Sequence, residues 1–487
     1  MSVVPPSRKS APKASELARL SAVELVEGYR SGSFTPSDVI DEVIDALVET
    51  DELCNVMVTP MFDSARKAAA VATNAWHSGT PQGPLAGVPV TVKDLIFVAG
   101  VPARGGAPAL ENFVPEVDAA VVTALREAGA IITCKTTTCE SGYKLTADSP
   151  VSGVTRNPWR LDRTSGGSSG GAAAAVAAGC GPLALGTDGV GSIRVPASFC
   201  GVFGIKPTFG LVPRAPGFFP PSWASLAHTG PIGRTVRDVA LLLEIIAGYD
   251  IRDAASLPVA PRRMDVTPGS LKGLRIAFTP DLGFAAVSPD VRAAFSSAVE
   301  TLAELGAEMV SDPTGIDPEA LERTIKPIAY TEQAAAIMGR EEALLSRSDL
   351  DYNTVIARGR DYRGTEYVDA MHRRTQLRYR FVELFRRADL LVTPTVAVTA
   401  FAAGTLGVDK IDERPVDSHL GWSPFSWPIN LAGLPAATIP CGSDSDGLPI
   451  GLQLVAPWLQ EQRIFRVAAA FEAARPWLDQ WPAFAAG

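Results

Sequence analysis

The residues with the most chemical promise lie between Thr164 and Gly210, where the chain reads TSGGSSGGAAAAVAAGCGPLALGTDGVGSIRVPASFCGVFGIKPTFG. A glycine- and serine-rich turn opens this stretch. An alanine-rich, helix-favouring run follows and ends at Gly179. The short strand Leu183-Ala184-Leu185 then leads into a second glycine-rich turn that ends at Ser192. Two turns thus present serines at opposite ends of one compact helix–strand unit. Small side chains allow close backbone approach, and consecutive turn N–H groups form a nest for negative charge. A linker packed closely on a sheet would explain one such turn, but two turns ending in serine less well.

Generic motifs compete for this tract. Gly166-Gly167-Ser168-Ser169-Gly170 fits the GxSxG nucleophile elbow, but that motif needs a strand directly before its serine. Asn157-Pro158-Trp159-Arg160 stands upstream instead. A phosphate-binding Walker loop needs GK[ST], and no lysine follows the tract. Ser10-Ala11-Pro12-Lys13 fits SxxK, but in an N-terminal segment expected to be disordered. His228 is expected in a loop, as a surface or hydrogen-bonded residue rather than a base.

The elements around the tract alternate. Ser21 and Glu24 form a capping box, and Thr35-Pro36 opens a second helix with Val39, Ile40, Val43, Ile44 and Leu47 on one apolar stripe. Strands are expected at Pro89–Val92, Ile131–Cys134, Leu274–Phe278, Leu390–Thr393 and Ile450–Val455. Asp118 is expected to cap a helix that runs to Ala128 and stops at Gly129. Ser288 and Gly306 bracket another from Pro289 to Leu305. This alternation predicts an α/β fold with a parallel or mixed sheet. Val259–Ser270 reads as a linker.

Composition narrows the class. Lys+Arg 44 against Asp+Glu 53 gives a net charge of −9, which argues against binding to phosphate backbones. The cysteines Cys54, Cys134, Cys139, Cys180, Cys200 and Cys441 are scattered, which predicts buried reduced thiols rather than a zinc site or disulfide scaffold. The histidines His77, His228, His372 and His419 form no HExxH. No signal peptide or long apolar run is seen, so a cytoplasmic protein without a membrane partner is expected.

Several long motifs, in order, resemble the amidase signature family of serine hydrolases. They are Gly87-Val88-Pro89-Val90-Thr91-Val92-Lys93-Asp94, the Gly166–Gly171 tract and Gly186-Thr187-Asp188-Gly189-Val190-Gly191-Ser192-Ile193-Arg194. Gly204-Ile205-Lys206-Pro207-Thr208, Thr229-Gly230-Pro231-Ile232, Asn430–Pro435 and Gly447–Gln453 continue the match. The resemblance implies the amidase signature fold, a large mixed twisted β-sheet covered by helices on both faces. It implies a Ser–Ser–Lys triad of Ser192 as nucleophile, Ser168 as bridging serine on a cis peptide bond, and Lys93. The backbone N–H groups of Gly189, Val190, Gly191 and Ser192 would form the oxyanion hole. No cofactor or metal is implied.

Lysine serves as a base only when neutral, and burial favours the neutral form. Lys93 ends an apolar strand, and Asp94 is expected to point to the opposite side. Lys206 is a rival base in a structural setting, and Asp188 with Arg194 would form an internal ion pair. Val190 stands where many family members carry a second glycine. Its side chain is expected to project into the site and narrow it, with Gly189 absorbing the turn.

The substrate pocket is expected from Phe218, Phe219, Trp223, Tyr330, Trp422, Phe425 and Trp427, which would favour small aryl or apolar amides, anilides or carbamates (urethanes). A subunit of an amidotransferase that acts on charged transfer RNA and a catalytically silent binding homologue are the alternatives. The chain is expected to divide into a disordered tail, 1–14, and one domain, 15–487. Within that domain lie N-terminal helices (15–80), a catalytic core (81–258) and, in 271–421, a helical insertion on the substrate side.

Overall fold

The computed structural model describes residues 16–218, 225–260, 262–311, 315–338 and 345–483. The expected tail, with its Ser10…Lys13 pattern, and the pocket candidates Phe219 and Trp223 lie outside the described residues.

Local signals near the N-terminus set the first helices. Ser21 accepts from the Glu24 amide while the Glu24 carboxylate accepts from the Ser21 amide, and the helix Ala22–Ser31 follows. Thr35 and Asp38 repeat this arrangement at the start of Pro36–Cys54, whose apolar stripe is buried. Each such cap contributes about 1 kcal/mol. The expected cap at Asp118 is not formed. The helix Ala120–Glu127 starts after Ala119, with no side chain capping it. The Asp118 carboxylate instead accepts from the Ala99 amide at 2.8 Å and pairs with Arg126 at 2.9 Å.

Eleven strands form one mixed sheet. In chain order they are β1 (Met57–Pro60), β2 (Pro89–Lys93), β3 (Ile131–Thr136), β4 (Leu183–Asp188), β5 (Phe203–Lys206) and β6 (His228–Gly233). There follow β7 (Arg275–Phe278), β8 (Glu308–Ser311), β9 (Leu390–Pro394), β10 (Ala436–Ser443) and β11 (Pro449–Val455). Their spatial order is β1-β3-β2-β4-β6-β5-β10-β11-β9-β7-β8. The pairs β2–β3, β2–β4, β7–β9 and β7–β8 are parallel, and the remaining neighbours are antiparallel. The span 271–421 supplies β7, β8 and β9 as well as the helices Pro318–Ala336, Leu350–Asp361 and Gly364–Phe385. Val259–Ser270 carries no helix or strand among its described residues.

Two features position the site. β2 and β4 are parallel neighbours, so Lys93 and Asp188, their last residues, reach the same edge of the sheet. Ligands of α/β sheets gather at the carboxyl ends of such strands. The helix Gly170–Ala177 is buried along its whole length, and its small residues let it lie close to its neighbours. A Cβ on Gly171 would stand 2.3 Å from Thr137 Oγ1. A strand does precede the Ser168 turn, contrary to expectation. Arg160–Thr164 pairs with Arg156–Asn157 in a separate hairpin, not in the main sheet. Among the described residues, no helix is long and apolar enough to cross a membrane, and all six cysteines are buried and unbridged.

Candidate active site

Lys93 is fully buried at the end of β2. Its Nζ meets three hydroxyls: Ser168 Oγ at 2.7 Å, Thr187 Oγ1 at 2.8 Å and Ser169 Oγ at 3.0 Å. Burial pulls its pKa down to about 7; Cys139 and Asp188 oppose that, and the Arg214 charge adds to it. Strand alternation sends the next side chain away. Asp94 pairs with buried Lys135 at 3.0 Å and accepts the amides of Arg104 and Gly105. No carboxylate bonds to Lys93 among the described residues, so desolvation outweighs the remaining attractions.

The first turn places Ser168 two residues before the helix Gly170–Ala177, and the Gly167–Ser168 peptide is cis. Ser169 donates its hydroxyl proton to the Thr187 carbonyl at 3.1 Å and accepts the Thr187 amide at 3.2 Å. Its oxygen can therefore only accept from Lys93. A neutral amine has two N–H groups and one lone pair. With Ser169 and Thr187 taking the N–H groups, the lone pair is left for the Ser168 proton, and the Ser168 oxygen then remains an acceptor.

Ser192 follows β4 and precedes the helix Arg194–Cys200. Its hydroxyl is buried and makes no hydrogen bond among the described residues. The expected Ser192–Ser168 bond is thus not formed in this structure. A buried hydroxyl without a partner costs about 1–3 kcal/mol, and such groups concentrate where a ligand completes the site. Catalytic hydrogen bonds also often close only when substrate is bound.

The turn before Ser192 corrects two expectations. The Gly191 amide is already engaged, donating to Asp188 Oδ1 at 2.8 Å, so it is not available to an oxyanion. The amides of Gly189, Val190 and Ser192 have no protein acceptor among the described residues. The unusual backbone falls on Gly191, at φ +132°, and not on Gly189 or Val190. A Cβ on Gly191 would lie 2.6 Å from Ser426 Oγ. Val190 keeps ordinary backbone geometry and faces the cleft.

Asp188 and Arg194 form the internal pair read from the sequence, at 2.9 Å and fully buried. Burial would raise the Asp188 pKa, but the Arg194 charge and hydrogen bonds, with help from Lys206 and Asn430, hold it well below the usual carboxylate range. Lys206 is buried and donates to the carbonyls of Pro207 and Leu434, consistent with a structural role. His228 does not sit in a loop. It opens β6, is buried, and its Nδ1 lies 2.7 Å from the Leu226 carbonyl. Burial and then Lys206 drive its pKa well below the ordinary histidine value.

A cleft opens over Ser168, Thr187, Gly189, Val190 and Ser192. Tyr330 lines it beside Glu332, Gln333 and Arg214, which the sequence reading did not select. A second, smaller pocket shares the walls Leu95, Ser141 and Gln333 and is otherwise dominated by apolar groups such as Phe97, Leu110 and Ile337. Four aromatic expectations are corrected. Trp422 is wholly buried against Phe199, at 5.9 Å between ring centroids, and Phe425 and Trp427 are core residues. Phe218 bridges to Ile96 and packs beneath Arg214. Large rings bury so much apolar area that a cluster of them serves a core as readily as a pocket.

Known proteins are similar to this chain in sequence and fold. The profile of the Amidase family matches residues 38–465, and the chain belongs to the amidase signature family. The Acylamidase of Rhodococcus erythropolis is 34% identical over 473 residues, which cover 95% of this chain and 97% of that protein. A glutamyl-tRNA(Gln) amidotransferase subunit of Synechococcus sp. (strain RCC307) is 36% identical over 481 residues, covering 92% of this chain and 96% of that protein. The crystal structure of a bacterial aryl acylamidase of the amidase signature family superposes with a TM-score of 0.88 at 30% identity, covering 96% of this chain and 98% of that one.

Proposed function

We propose that this chain hydrolyses the C–N bond of small amides with an aryl or apolar arm through an acyl-enzyme on Ser192. The observation that carries the reading is a fully buried Lys93 surrounded by hydroxyls, with a pKa lowered to about 7. Ser192 Oγ attacks the carbonyl carbon and passes its proton to Ser168, whose own proton moves to Lys93. The amides of Gly189, Val190 and Ser192 hold the oxyanion, each such donor being worth about 2.7–4 kcal/mol. The proton returns through Ser168 to the leaving nitrogen, the amine departs, and water cleaves the ester by the same relay. The apolar second chamber supports an aryl or alkyl arm. Anilides and aryl carbamates present the same oxyanion geometry and belong to the proposed substrate range.

Ser192→Ala, Ser168→Ala and Lys93→Ala should each lower hydrolysis by at least about a thousandfold, with the circular dichroism spectrum unchanged. Loss of activity in His228→Ala with retention in Lys93→Ala would overturn the assignment. The amidotransferase relatives, at 36% identity, favour a second reading as a subunit that needs a partner chain. A screen of the lone chain on aliphatic amides, anilides, peptide amides and aryl carbamates separates the two. Turnover of anilides by the lone chain supports the amidase. Turnover of glutamine only with an added partner supports the subunit. Fluorophosphonate labelling of Ser192 would exclude a catalytically silent homologue.

A further inference from the structure

Arg214 differs from the other buried arginines. Arg194 directs its guanidinium to Asp188, Gln453, Asn430 and the Ser426 carbonyl. Arg234 directs its own to the carbonyls of Ala177, Leu478 and Gln480. Arg214 is 7% exposed, and its Nε and Nη1 are buried with no hydrogen-bond partner among the described residues. Its guanidinium carbon lies 4.7 Å from the centroid of the Phe218 ring, and the residue lines the cleft that holds Ser192. Burial lowers its pKa to about 10, so the group stays charged at neutral pH.

Two carboxylates act on this charge without bonding to it. Asp253 accepts the backbone amides of Arg214, Ala215 and Ala255. Glu332, which also lines the cleft, accepts from the Ser225 amide and hydroxyl and from the Tyr367 hydroxyl. Both attract the guanidinium through space. Carboxylates thus already face the Arg214 charge, Glu332 also attracting Arg374, and what the guanidinium lacks among the described residues is a hydrogen-bond acceptor. A ligand carboxylate would meet repulsion from Glu332 and Asp253, whereas a neutral carbonyl oxygen would not. Among the described residues no hydrogen bond holds the guanidinium in its plane, so it can turn to a ligand without breaking one there.

We infer that Arg214 is a specificity-determining residue that binds an uncharged acceptor oxygen of the substrate, the non-scissile carbonyl of a second amide, ester or carbamate group. This rests on the amidase reading above. Arg214 is not among the walls shared with the apolar chamber, so the preferred substrate carries an apolar arm and a separate acceptor. A site built to hydrogen-bond a substrate group rejects the analogue that lacks it, because its own polar atoms then stay unpaired.

The test is a series of anilides with one apolar arm. A second carbonyl is placed at successive positions, and each compound is paired with its methylene analogue. Wild-type kcat/KM should favour at least one carbonyl compound by about tenfold or more. Arg214→Met should bring the carbonyl-to-methylene ratio of kcat/KM to about one, a ratio that cancels any common change from losing a charge that helps lower the Lys93 pKa, and Arg214→Lys should restore part of the preference. Absence of any preference across the series, or an equal fall for both members of a pair, overturns the inference. Should Arg214→Met fail to fold, the wild-type series alone decides. Paired fluorophosphonates with and without the carbonyl repeat the comparison as labelling rates at Ser192. Labelling without discrimination sinks only the role of Arg214, whereas absence of both labelling and hydrolysis sinks the amidase reading as well.

Discussion

At the scale of single residues, the chemistry turns on one proton. Lys93 gains hydrogen bonds to three hydroxyls but loses bulk water, and the loss dominates, so its pKa falls to about 7. The active form of the base is the neutral one. The kcat/KM profile should therefore rise with pH through about 7 as Lys93 in the free enzyme loses its proton, and flatten above that. Thr187 tunes this limb. Its hydroxyl accepts from Nζ and so stabilises the ammonium more than the amine. Thr187→Val removes that acceptor, a hydrogen bond to a charged group worth about 1.5–3 kcal/mol, and should move the limb acidwards by about one pH unit. A basic shift would show that the hydroxyl chiefly donates to the neutral amine. The pH–rate profiles of both proteins, measured on one anilide, distinguish these outcomes.

At the scale of elements, the turn between β4 and the helix Arg194–Cys200 aims the amides. Asp188 takes the N–H groups of Gly191, Ile193 and Arg194, which leaves those of Gly189, Val190 and Ser192 for substrate. Gly191 makes the turn possible at φ +132°. Gly191→Ala introduces both an unfavourable backbone and a clash with Ser426, which itself donates to the Val190 carbonyl at 2.6 Å. It should cost about 1–3 kcal/mol in urea unfolding and lower kcat by at least about tenfold, because the amides shift with the turn. Retained kcat in a destabilised protein would separate the turn from oxyanion binding. Much of this element was legible in the sequence. The family resemblance pointed to Ser168, Ser192 and Lys93, which the fold brings to one end of the sheet, and the proximity of Asp188 and Arg194 suggested their pair. The Gly191 hydrogen bond was not legible, because it depends on which carboxylate oxygen reaches which amide. The aromatic clusters misled for a related reason. Trp422, Phe425 and Trp427 carry the same composition whether they face substrate or core, and only the packing of distant segments decides.

At the scale of the whole molecule, Arg194 joins parts of the chain that lie far apart in sequence. Its guanidinium reaches Asp188 six positions away, and also the Ser426 carbonyl, Asn430 and Gln453 at separations of 232, 236 and 259. Asp188 ends β4, Asn430 lies in the helix Trp427–Ala432, and Gln453 sits within β11. One cation thus links the floor of the site to both halves of the sheet, a connection no local pattern could announce. Arg194→Met keeps the aliphatic volume but leaves Asp188 charged, buried and without its cation. Removing one partner of a buried pair costs about 3–5 kcal/mol. The urea midpoint should fall accordingly. We propose that residues 15–487 form one cooperative unit, in which case fluorescence and circular dichroism should report the same lowered midpoint. Two separate transitions, with only one of them shifted, would show instead that the halves fold independently and that Arg194 stabilises a local turn alone.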